Sequence, residues 1–102
     1  MNKILVIGAG AMGAAFTFPL VDNNHNVTLT EPYNKDFQNK LLKKNKFHPT
    51  LKLKLSKRVS FKKFSSELLD EKWDLIVVAV SSIGIEMVRQ YLKNIKKKIS
   101  IL

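Results

Sequence analysis

Three glycines at positions 8, 10 and 13 follow directly on the apolar run Ile4-Leu5-Val6-Ile7, giving the spacing G-x-G-x-x-G. That spacing suits a loop that binds a diphosphate. Gly8 allows a tight turn, Gly10 lets the backbone approach the ligand, and Gly13 lets a following helix pack closely on the strand. A phosphate placed there meets unpaired N–H groups and the positive end of a helix dipole. An acid, Glu31, stands eighteen residues after Gly13, at the end of a second apolar stretch. In such folds that acid accepts hydrogen bonds from the adenosine ribose and repels a 2′-phosphate. The residues assigned to a dinucleotide cofactor are therefore Gly8, Gly10, Ala11, Met12, Gly13 and Glu31, with NAD favoured over NADP.

The elements that must position these residues are legible in the patterning. A strand is predicted over residues 3–7 and a helix over 11–23, kinked near Phe18-Pro19 because an interior proline removes a donor and clashes with the preceding turn. Asn23-Asn24-His25-Asn26 reads as a turn cluster. A second strand follows over 27–30, then a helix from Asn34 to about Lys46, broken by Phe47-His48-Pro49-Thr50. Apolar and basic residues alternate over 51–55, as a strand or an extended loop. A third strand is expected at 58–61, and a short helix capped by Ser65 or Ser66 through about Glu71. Residues 73–80 contain the continuous apolar run 75–80 of a strand buried on both faces. A helix over 83–94 with Ile85, Val88, Leu92 and Ile95 on its apolar side, and a fifth strand from Ile99, complete the chain.

Strands and helices alternate throughout. This predicts an α/β fold, a Rossmann-type doubly wound parallel sheet of order 3-2-1-4-5, truncated at strand five. One partial dinucleotide-binding domain over residues 1–102 is expected, with any substrate domain absent. Ligands in such sheets bind beyond the carboxyl ends of the strands, where the order reverses. Val80, Ser81 and Ser82 fall there. Ser81 or Ser82 can contact a cofactor ribose or phosphate through hydroxyl or backbone N–H groups. Equally, Ser82 can cap the following helix with Glu86 nearby. Phe61 and Phe64 read as core.

Composition narrows the classes further. The 102 residues are 45% hydrophobic and contain no cysteine, which excludes disulfides and thiolate metal sites. No run of about 18 apolar residues suggests a membrane span, and the glycines, Pro19 and Asp22 fit a phosphate loop and helix better than a secretory signal. The cytoplasm is the expected location. Eleven of the eighteen Lys and Arg lie in residues 35–63 with a single acid, so that segment carries the whole net charge of +10. It reads first as a solvated face and second as an attractor of anionic ligands. A nucleic-acid-binding module is the rival from another class, and few aromatics interleave the lysines to support it. His25 and His48 lack partners at metal-ligand spacing and are read as structural or solvent-exposed. No catalytic constellation is evident.

The chain resembles the N-terminal part of NAD(P)-dependent glycerol-3-phosphate dehydrogenases. The similar segments are Gly8-Ala9-Gly10-Ala11-Met12-Gly13, Pro19-Leu20-Val21-Asp22-Asn23, the loop His48-Pro49-Thr50-Leu51-Lys52-Leu53-Lys54-Leu55, and Asp74-Leu75-Ile76-Val77-Val78-Ala79-Val80-Ser81 with Gly84. The resemblance implies an enzyme that moves hydride between nicotinamide and C2 of glycerol 3-phosphate, interconverting it with dihydroxyacetone phosphate. It implies a small phosphorylated substrate, a homodimer in the full-length form, and a substrate-related lysine just beyond Leu102, so that this chain alone is expected to be inactive. Thr30 and Glu31 stand where many members have a bulky aromatic and a glycine, and Ser81 where many have proline. Ketopantoate reductase is a related alternative, against which the His48-Pro49 loop argues.

Overall fold

The computed structural model describes residues 2–32, 38–39, 47–48, 53–80, 88–89 and 99–101. Strand β1 (Lys3–Ile7) leads through the glycine loop into helix α1 (Ala11–Asp22), and the chain returns in β2 (Asn26–Thr30). Two short strands, β3 (Phe47–His48) and β4 (Leu53–Lys54), pair antiparallel in a separate small sheet. Strand β5 (Val59–Phe61), helix α2 (Ser66–Asp70), β6 (Leu75–Val78) and β7 (Ile99–Ile101) follow. The main sheet has the order β5-β2-β1-β6-β7, with every pairing parallel. Numbered by the five main strands alone, this is the predicted 3-2-1-4-5.

Burial on both sides of the sheet explains why β1 is apolar without alternation. Ile4 and Val6 face one layer, with Val27, Leu29, Val59, Val77 and the α1 residues Ala14 and Val21. Leu5 and Ile7 face the other, with Ile76, Val78, Leu68, Leu69, Trp73 and Val88. Each such aliphatic side chain contributes about 1.5–3 kcal/mol when removed from water, so the two layers together stabilise the sheet between them. Phe61 packs against the first layer and Phe64 against the second, as expected.

Local chemistry sets the ends of the elements. Helix α1 continues through Pro19 as one twelve-residue element. The proline denies a donor to the carbonyl of Ala15, and both residues are exposed, so water can satisfy that group. Asn23 closes the helix, its backbone and side-chain N–H groups both donating to the Pro19 carbonyl at 3.1 and 2.8 Å. Asn24 then turns the chain at φ 64°, a left-handed conformation that Asn tolerates. Ser65 caps α2, its hydroxyl accepting from the Leu68 N–H at 3.1 Å. The expected strand over 73–80 shortens to Leu75–Val78; ahead of it Trp73 is buried in the core and donates its indole N–H to the Leu68 carbonyl at 2.7 Å.

Within the alternating segment over 51–55, Leu53 and Lys54 form half of a two-stranded ribbon and Leu55 enters the first core layer, while residues 51 and 52 lie outside the described residues. Of the predicted helix from Asn34 to Lys46, Gln38 and Asn39 are described and helical; of the helix over 83–94, Val88 and Arg89 are. The remainder of both lies outside the described residues. Among the described residues no helix is long and apolar enough to cross a membrane.

Candidate functional site

The carboxyl ends of β1, β2 and β6 converge on the glycine loop. The parallel register sets Ile7 beside Thr30 and beside Val78, so the residues just past each strand meet in space. The Gly8 N–H donates to the Thr30 carbonyl at 2.8 Å, and the Ala79 N–H donates to the Ile7 carbonyl at 2.8 Å. These two bonds carry the ladder one step beyond the strands and hold the loop's entry on both sides.

Each glycine meets a different demand. Gly8 adopts φ +113°, and a Cβ there would strike the Ala79 carbonyl. A Cβ on Gly13 would fall on the Gly8 carbonyl oxygen, so the first turn of α1 sits directly against the end of β1. Gly10 is the opposite case: a Cβ there meets nothing within 4 Å. Its conformation, φ −66° and ψ −177°, suits any residue. The chain itself therefore does not require glycine at position 10.

Gly10 is also the N-cap of α1. It offers no side-chain cap, and no acid lies in the first turn. The amides at the start of a helix have no partner within it, and the aligned peptide dipoles make that end positive. The first intrahelical bond runs from the Ala14 N–H to the Gly10 carbonyl at 2.9 Å. Met12, in the first turn, is 63% exposed, the one large apolar side chain so exposed among the described residues. Open space at Gly10 beside an uncapped helix start fits the diphosphate of a dinucleotide.

Glu31 completes the site. Its side chain is 4% exposed, and Oε1 accepts a hydrogen bond from the Ala9 N–H at 2.7 Å. The acid at the end of β2 thus touches the glycine loop itself. Its backbone carbonyl accepts from the Gln38 side chain at 2.7 Å. Val80 is half-buried against the second core layer, past the end of β6. Ser81 and Ser82, the other residues assigned there, lie outside the described residues, as does the side chain of Ala11.

Two contributors were not foreseen from the sequence. Ala9 acts through its backbone amide, and its side chain gives no sign of this. The signal was in the register: an acid one residue past β2 must lie across from the residues just past β1. Thr30 is the second, through its carbonyl, which accepts from the Gly8 N–H. It is fully buried, and its hydroxyl has no hydrogen-bond partner among the described residues.

The remaining sequence candidates have other duties. His25 accepts from the Asn2 N–H through Nδ1 at 3.3 Å, a structural contact. The His48 side chain lies outside the described residues. Within the basic segment, Arg58 donates to the Val21 carbonyl at 3.1 Å, a cation at the negative end of α1, while Lys57, Lys62 and Lys63 are exposed. Among the described residues no group of His, Cys, Asp and Glu could hold a metal ion.

A parallel sheet of this order, with a glycine loop joining its central strand to an uncapped helix, defines a Rossmann-type domain, the class on which dehydrogenases hold dinucleotides. Within that class, the chain belongs to the family described as the NAD-dependent glycerol-3-phosphate dehydrogenase N-terminus, which matches residues 3–102. No curated protein matches it.

Solved structures share the fold at low sequence identity. Glycerol-3-phosphate dehydrogenase (GpsA) from Coxiella burnetii is similar with a TM-score of 0.80 and 19% identity, over 98% of this chain and 31% of that one. A D-mandelate dehydrogenase solved with NADH and anilino(oxo)acetate gives 0.70 and 18%, over 98% and 33%. A 2-dehydropantoate 2-reductase from Enterococcus faecalis, itself described as putative, gives 0.66 and 18%, over 98% and 33%. The chain thus spans about a third of the length of these solved proteins.

Proposed function

We propose that this chain is the NAD-binding part of a glycerol-3-phosphate dehydrogenase and takes NAD in preference to NADP. One observation carries the preference: the Glu31 carboxylate, fixed 2.7 Å from the Ala9 N–H at the mouth of the loop. Ribose hydroxyls brought there find an acceptor, whereas a 2′-phosphate meets a like charge where water is largely excluded. The D-mandelate dehydrogenase of the same fold was solved with NADH, which supports a nicotinamide dinucleotide as the ligand.

In this reading the amides of Gly10, Ala11, Met12 and Gly13 hold the diphosphate, Glu31 holds the adenosine ribose, and Val80, Ser81 and Ser82 line the opposite side. When bound, the nicotinamide supplies or accepts a hydride. The chain's own residues bind and orient that group. For the whole protein we propose hydride exchange with glycerol 3-phosphate and dihydroxyacetone phosphate, with the residues that act on substrate outside this chain, and assembly as a homodimer.

Calorimetric titration with NAD and with NADP tests the preference. NAD should bind more tightly, and Glu31→Ala should shrink the gap by about tenfold, the effect of about 1.4 kcal/mol of lost discrimination. Tighter binding of NADP, or a gap unchanged by the substitution, would overturn the role of Glu31.

A further inference from the structure

The hydrogen bond between Ala9 and Glu31 joins two parts of the site that recognise different parts of a ligand. Ala9 lies in the diphosphate loop, and Glu31 at the ribose position. Because Oε1 is committed to the loop at 2.7 Å with the side chain 4% exposed, the position of the carboxylate and the shape of the loop are one arrangement. Other fixed points of the loop among the described residues are backbone contacts: Gly8 to Thr30, and Gly13 against the Gly8 carbonyl. At Ala9 the loop's form depends on a side chain. We propose that Glu31 is a positioning residue for the diphosphate loop, so that changing it weakens the binding of phosphate groups that never touch it. This inference rests on the reading of the loop as a diphosphate site.

The physical reasoning is preorganisation. An N–H bonded to a charged acceptor is held more firmly than one bonded to water, and a loop already in its bound shape loses less freedom when a ligand arrives. The coupling is a free energy shared between the two subsites, so it acts in both directions.

Inorganic pyrophosphate is the probe, because it carries no ribose. Glu31→Gln and Glu31→Ala remove the same charge, but only the glutamine keeps an acceptor that can reach Ala9. Pyrophosphate should bind about threefold to tenfold more weakly to E31A than to E31Q, the range expected for one hydrogen bond. Glu31→Asp keeps the charge and shortens the reach by one methylene, and should resemble E31A. Amide hydrogen exchange gives a second readout on the free chain. Ala9 should exchange faster in E31A and E31D than in E31Q, with Val6 and Leu29 unchanged as a control for folding. Equal pyrophosphate affinity in E31Q and E31A, or equal exchange at Ala9, would overturn the proposal. A wild-type chain that binds pyrophosphate with this pattern yet does not prefer NAD would contradict the cofactor assignment alone. Failure of the wild-type chain to bind pyrophosphate would contradict the diphosphate site itself, and with it the coupling.

Discussion

Gly13 lies so close to Gly8 that a Cβ on the first would fall on the carbonyl oxygen of the second. This contact seats the positive end of α1 directly over the end of β1. Gly10, between them, faces open space. The three glycines thus divide into two that the fold needs and one that it does not.

That division makes a paired prediction. Gly13→Ala should destabilise the chain by about 3 kcal/mol, since the clash is with backbone and has no flexible side chain to yield. In a domain of this size that lowers Tm by roughly 12–24 °C. Gly10→Ala should leave Tm within a few degrees of wild type and still weaken dinucleotide binding, because its methyl group occupies the approach to the loop. Thermal unfolding beside a ligand titration separates the two effects, and equal loss of stability in both variants would contradict the division.

Much of this architecture was legible in the sequence, for identifiable reasons. Ile4 to Ile7 and Leu75 to Val78 read as strands because both faces of the sheet are covered, which leaves an uninterrupted apolar run. The serine pair Ser65-Ser66 announced its helix through capping chemistry, and the structure gives the cap to Ser65. The ribbon pairing Phe47–His48 with Leu53–Lys54 was less accessible, since antiparallel pairing of two-residue strands depends on where the chain folds back rather than on local pattern. The hydrogen bond from Ala9 to Glu31 was hidden for a related reason. It is made by a backbone amide, and only the register of β1 against β2 reveals which acid it meets.

Thr30 offers a prediction of the opposite sign. Its hydroxyl is buried without a partner among the described residues, and such a group costs stability. Thr30→Val keeps the branched shape that suits a strand and removes the polar atom. It should stabilise the chain by about 1 kcal/mol in urea unfolding, with an unchanged m-value. A loss of stability would show that the hydroxyl is satisfied.

Trp73 anchors the second core layer through both its ring and its indole N–H. Trp73→Phe leaves the Leu68 carbonyl with only the 3.3 Å bond from the Glu71 N–H and puts a smaller ring in the core, and should cost about 1–3 kcal/mol. Lys3 also lies over this ring, 4.6 Å from its centroid, and pairs with Glu71 at 3.1 Å. Both of those charged side chains are well exposed, at 43% and 36%, so Lys3→Ala should cost less than about 1 kcal/mol. Unfolding curves for the two variants should therefore differ clearly, with Trp73 the larger effect.

Whether the amides opening α1 receive a diphosphate can be read from backbone amide resonances while NAD is added to the chain. Saturable shifts are expected at Gly10, Ala11, Met12 and Gly13, together with Ala9 and Glu31, at one common affinity. Shifts confined to the lysine-rich residues 35–63, with the glycine loop silent, would contradict a diphosphate site there.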